Sequence, residues 1–172
     1  MERFTVDNKN VAIYMLGLTG NGKSTTINYL LGAKGLKWQR NKTQIHITNE
    51  NTTDYPVIGN TVACCTNIPS SYLDPRGGIE YIDSAGFMDP KGDEQEIINA
   101  YANARMFKRG TRAKIILVIE YSSLIFGRGG NLLEIAQRLL EFFPRDYSTL
   151  INSVMIMVTK VNTDEYEFSD FL

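Results

Sequence analysis

The segment Gly17-Leu18-Thr19-Gly20-Asn21-Gly22-Lys23-Ser24 constrains this chain more than any other. It follows the apolar run Val11 to Leu16 and leads into Thr25 to Leu31, which reads as a helix that Gly32 can stop. A strand, a turn with the spacing G-x-x-x-x-G-K-S and a helix together form a loop that acts through its backbone. Glycines let such a loop wrap a phosphate closely, with successive N–H groups pointing inward at the positive end of the helix. A lysine at position 23 then reaches the β- and γ-phosphates, and a hydroxyl at position 24 ligates Mg²⁺. The candidate phosphate contacts are Gly17, Thr19, Gly20, Asn21, Gly22, Lys23, Ser24 and Thr25, with Lys23 also the candidate catalytic cation.

The rest of the chain alternates strand-like and helix-like segments. Thr61–Thr66 and Ile79–Asp83 read as strands, joined through Pro69, Pro75 and a Gly77-Gly78 turn. Asp93 followed by Glu96 resembles a capping box for a helix over Glu94–Lys108, with Ile97, Ile98, Tyr101 and Ala104 as its core stripe. Lys114–Tyr121 is an apolar strand of the buried parallel kind. Leu132, Leu133, Ile135, Ala136, Leu139, Leu140 and Phe143 make an amphipathic helix ended by Pro144, and Val154–Val158 is a last strand. From Ala33 to Asn60 the chain is polar and without a convincing period, apart from a weak strand over Gln44–Thr48. The expectation is an α/β fold in three layers, a parallel-type sheet with helices on both faces, in one domain over residues 1–172.

Composition narrows the function classes. A 43% hydrophobic and 22% charged chain of net charge −1 is an ordinary globular composition and gives no electrostatic reason to expect a nucleic-acid partner. No apolar run approaches the length of a membrane span, and Met1-Glu2-Arg3-Phe4 lacks the apolar core of a signal peptide. Cys64 and Cys65 are adjacent, which disfavours a bridge, so reduced thiols and a cytoplasmic location are expected. His46 stands apart from any cluster and receives no role.

Two further motifs end apolar strands. Tyr81-Ile82-Asp83-Ser84-Ala85-Gly86 runs into D-x-x-G, where the Asp83 carboxylate can hold Mg²⁺ through water and the Gly86 N–H can meet a γ-phosphate. Val158-Thr159-Lys160-Val161-Asn162 ends the last strand. Together the three motifs resemble those of guanine-nucleotide-binding proteins. The match is nearest the septin-like branch of P-loop NTPases, which includes the immunity-associated GTPases and the chloroplast import receptors. The resemblance spans nearly the whole chain, through Phe87-Met88-Asp89, Ile115–Tyr121, Leu132–Phe143 and Val154–Lys160. It implies a Mg²⁺-dependent GTP/GDP switch with weak intrinsic GTPase activity. It also implies association through the nucleotide face, as a homodimer or in a larger assembly. Thr66 becomes the switch threonine for Mg²⁺ and catalysis, with Thr61 as the alternative; Ser24, Thr66 and Asp83 form the metal environment. Gly86 is then a γ-phosphate contact, and Thr159, Lys160 and Asn162 lie at the base.

Three departures qualify that expectation. Where the family has an aspartate that accepts from guanine N1–H and N2–H₂, this chain has Asn162, whose amide offers a single acceptor oxygen. The mismatch costs about 1–3 kcal/mol of guanine preference and leaves ATP open. Phe87 stands where many GTPases carry a water-positioning glutamine. The family's next helix, its sixth strand with a base-contacting loop and its closing helix have no counterpart, which suggests a portion of a longer polypeptide. Two other classes therefore stay in view: a degenerate nucleotide-binding scaffold, and a P-loop small-molecule kinase.

Overall fold

A computed structural model describes residues 11–40, 45–49, 54–59, 69–86, 93–107, 112–127, 129–142 and 150–161. In chain order the elements are β1 (Val11–Leu16), α1 (Lys23–Leu30), β2 (Leu36–Arg40), β3 (Ile45–Asn49), β4 (Ser70–Asp74) and β5 (Ile79–Asp83). They continue with α2 (Asp93–Phe107), β6 (Arg112–Glu120), α3 (Tyr121–Ile125), α4 (Gly130–Phe142) and β7 (Val154–Thr159). Five strands form one sheet in the order β4-β5-β1-β6-β7. β1 runs parallel to β5 and β6, and β6 parallel to β7, while β4 is antiparallel to β5.

The central strands are apolar on both sides because both faces are covered. Tyr14, Leu16, Ile82, Ile115 and Leu117 pack with Ile135 and Leu139 of α4 on one face. Met15, Tyr81, Ile116 and Val118 pack with Ile27 and Leu31 of the α1 end on the other. Alternate residues of one strand thus feed two cores, as the period of two requires. The expected α/β architecture, with helices on both faces of a mostly parallel sheet, is observed.

Several local expectations need correction. The strand expected at Thr61–Thr66 lies outside the described residues, and the stretch expected only as a connection holds β4. Ser70-Ser71-Tyr72-Leu73-Asp74 has a weak apolar pattern, yet it pairs along its whole length with β5. The hairpin turn follows it, where the Gly77 and Gly78 amides reach back to the Asp74 carbonyl and Gly78 takes a φ of 64°. The turn signals therefore marked one end of a strand and not a long link. The weak strand near Gln44–Thr48 is β3, and its antiparallel partner β2, Leu36 with Asn49 through Arg40 with Ile45, was not expected. Tyr121 opens α3 and does not end β6.

The largest correction concerns α2. Ile97, Ile98 and Tyr101, expected in the core, are 70%, 55% and 65% exposed, whereas Asn99 and Asn103 are 1% and 2% exposed. The helix turns its amides inward because the groups it packs over are backbone carbonyls: Asn99 Nδ2 donates to Gly86 O at 3.4 Å and Asn103 Nδ2 to Ala85 O at 3.3 Å. Buried carbonyls need donors more than they need methyl groups. On α4, likewise, Leu133 and Leu140 face outward while Ile135 and Leu139 carry the packing.

Candidate functional site

The glycine loop leaves β1 at the carboxyl edge of the sheet, where open α/β sheets place their ligands. Its path depends on backbone angles that favour glycine. Gly17 passes so close to β6 that an added Cβ would lie 2.3 Å from the Val118 carbonyl oxygen. Gly22 caps α1 in the left-handed region at φ 92°. Between them, the Asn21 N–H reaches Leu18 O at 3.3 Å, and the Asn21 amide donates to Val118 O at 2.9 Å, fixing the loop to β6. Gly20 sits at the exposed rim with nothing near its α-carbon on the side-chain side.

Lys23 is buried, and its ammonium donates to Gly17 O and Leu18 O, each at 3.0 Å. The charge is therefore folded over the loop, above the helix N-terminus. One residue on, the Ser24 hydroxyl donates to Asp83 Oδ2 at 2.7 Å. That contact joins the start of α1 to the end of β5 across 59 positions of sequence. Asp83 is buried, and its charge contributes, after burial itself, to holding the Tyr72 phenol above its ordinary pKa. The Ser84 hydroxyl donates to Met15 O, so β5 and β1 are tied together where both end.

Beyond Ser84 the chain lies directly on the loop. A Cβ on Gly86 would fall 2.4 Å from Thr19 Oγ1 and 2.9 Å from Thr19 N, so only glycine fits this approach. Thr19 Oγ1 is buried with no hydrogen-bond partner among the described residues. On the opposite side the Thr159 hydroxyl donates to Asn21 O at 2.8 Å, and Lys160 pairs with Glu120 at 3.1 Å. Thr25 borders a groove of about 440 Å³ that Tyr29, Leu30, Leu36, Lys37 and Met157 also line.

Gly17, Thr19, Gly20, Asn21, Gly22, Lys23, Ser24, Asp83, Gly86, Thr159 and Lys160 thus converge on one end of the sheet. Thr66, Thr61, Phe87 and Asn162 lie outside the described residues. Sequence reasoning missed Glu120. It also missed Asn28, buried on α1, which donates to Ser24 O and Pro56 O at 2.8 Å each, and the inward pair Asn99 and Asn103. Asparagines at i and i+4, which share one face of a helix, were the available signal for the last two.

The oxygens of Ser24 and Asp83 suit a hard cation that keeps several waters and takes its remaining ligands from phosphate. Among the described residues no group of three or more His, Cys, Asp or Glu could form an all-protein cage. A site of one hydroxyl and one carboxylate fits Mg²⁺ brought by a nucleotide better than a resident ion. No protein-family model matches the sequence, and no curated protein is significantly similar to it.

Proposed function

We propose that the chain is a Mg²⁺-dependent guanine-nucleotide-binding switch of the septin-like kind. In this reading it hydrolyses GTP slowly and associates with a second copy or a larger assembly across its nucleotide face. The observation that carries the proposal is the 2.7 Å contact between Ser24 and Asp83, which joins two motifs read separately in the sequence. The close seat of Gly86 on Thr19 supports it, because a γ-phosphate in the loop would meet the D-x-x-G backbone there.

Each residue then has a stated task. The loop amides from Gly17 to Thr25 bind the phosphates, and Lys23 neutralises their charge as it exchanges loop carbonyls for phosphate oxygens. Ser24 and Asp83, with Thr66 as the expected third oxygen, would hold the cation, which would supply neutralising charge to the phosphates. Thr159 holds the loop to the base side, with Lys160 and Asn162 beside the base. Phe87 offers no hydrogen bond to a water, so slow turnover is the expected consequence.

Calorimetry with Mg-GTP, Mg-GDP and Mg-ATP tests the reading. We expect micromolar or tighter binding of the guanine nucleotides and a loss of about a hundredfold in Lys23→Ala, the scale of a charge-assisted contact to phosphate. Unchanged binding in that variant would sink the proposal, and equal affinity for ATP would reduce it to a nucleotide-binding scaffold without base choice. Light scattering with and without a non-hydrolysable triphosphate tests the association. A monomer in both states would remove the homodimer.

A further inference from the structure

Glu120 closes β6 directly opposite Thr159 of β7, at the edge where the glycine loop sits. The residue just after β7, Lys160, has φ 56° and is the one non-glycine residue at positive φ among the described residues. A long side chain rarely adopts that conformation unless its surroundings impose it, and such outliers gather at binding sites. Here the surroundings are explicit. Thr159 is tied to Asn21 O and Ile119 O at 2.8 and 3.2 Å, and the Lys160 ammonium donates to Glu120 Oε2 at 3.1 Å. Glu120 is braced in turn, because the Ser122 hydroxyl donates to its Oε1 at 2.9 Å and the Ser123 hydroxyl to its carbonyl at 2.8 Å. A continuous chain of contacts thus runs from the glycine loop through Thr159 and Lys160 to the start of α3.

We propose that Glu120 is a positioning residue for the nucleoside, holding Lys160 so that its carbon stem forms one wall of the base site. The role rests on the nucleotide-binding reading above. Both side chains are partly open, at 51% for Lys160 and 31% for Glu120, so a ligand extending from the loop can reach them. With its ammonium drawn sideways onto the carboxylate, Lys160 presents methylenes to a flat ring and keeps its charge away from the phosphates. The carboxylate retains acceptor capacity beyond the two hydrogen bonds it receives, so it need not release Lys160 when a ligand arrives.

The test compares a ligand with a base and one without: Mg-GTP and inorganic tripolyphosphate with Mg²⁺, titrated into the whole chain. We expect Glu120→Ala to weaken GTP about fivefold, as for loss of a part-exposed charged pair, and to leave tripolyphosphate within about twofold. Glu120→Gln, which keeps an acceptor for Lys160, should recover most of the loss, and adding Glu120→Ala to Lys160→Ala should cost nothing more. The positioning role is overturned if GTP binding is unchanged in Glu120→Ala. It is equally overturned if tripolyphosphate weakens in parallel, or if the two substitutions add. A wild-type chain that binds neither ligand would instead remove the nucleotide reading beneath it.

Discussion

At the scale of single residues, the loop separates two reasons for a glycine. At Gly17 the obstacle is a neighbour, since the Val118 carbonyl would lie 2.3 Å from an added Cβ where β1 ends beside β6. At Gly20, with φ 86°, nothing stands within 4 Å and only the backbone angle resists. We therefore expect Gly17→Ala to cost about 2–4 kcal/mol of stability through overpacking and Gly20→Ala about 1 kcal/mol through the left-handed backbone. Urea midpoints of the two variants decide it; equal losses would show that the approach to Val118 relaxes freely. Ser24 is legible at this scale too. Its hydroxyl can serve either Asp83 or a cation, so Ser24→Ala should weaken triphosphate binding about tenfold in Mg²⁺ and much less in EDTA.

At the scale of elements, polar contacts decide how pieces are hung. Asp74 at the end of β4 accepts from Arg76 Nε at 2.9 Å and from its backbone N–H at 2.9 Å, and the same guanidinium reaches the Leu30 carbonyl at the end of α1. The side-chain hydrogen bond from Arg76, then its backbone N–H, holds the Asp74 carboxyl below its ordinary value of 3.8. A depressed carboxyl contributes stability that is fully present above that ordinary value and is lost as pH falls through the lower folded one. The stability advantage of the wild type over Asp74→Asn should thus be present at pH 7 and shrink below about pH 4, as linkage requires. Denaturation at pH 7 and pH 3 measures it, and a pH-independent difference would exclude the carboxylate as its source. On α2, Asn99→Ala would leave the buried Gly86 carbonyl without that donor, at an expected cost of about 1–2 kcal/mol.

Over the molecule as a body, β7 is the outermost strand of the sheet among the described residues. Met155, Ile156 and Val158 are 55%, 52% and 40% exposed on it. An apolar edge strand offers both unpaired backbone groups and a sticky surface, which favours strand-to-strand association. We expect the chain to scatter increasingly with concentration and on warming, and Ile156→Lys to raise the onset temperature by placing a charge on the edge. Identical aggregation in that variant would locate the association elsewhere. No helix among the described residues is long and apolar enough to cross a membrane.

The amino-acid sequence alone determined the strands and helices whose patterns are local. Val11–Leu16 and Ile79–Asp83 keep their expected bounds, and α1, α4 and β6 differ from expectation by one or two residues at each end. It also marked most of the residues that meet at the carboxyl edge, because a turn that demands glycine and a polar residue closing an apolar strand are visible without a fold. Whatever depends on a distant partner is settled when the chain folds and not before. β4 exists because β5 pairs with it, and β2 because β3 does. α2 buries Asn99 and Asn103 in place of its isoleucines because carbonyls, not methyl groups, face it. Glu120 reads as one more strand-end charge until Lys160, 40 positions away, is seen to lean on it. Periodicity reports how much of an element is apolar, whereas the identity of the facing atoms is a property of the assembled chain.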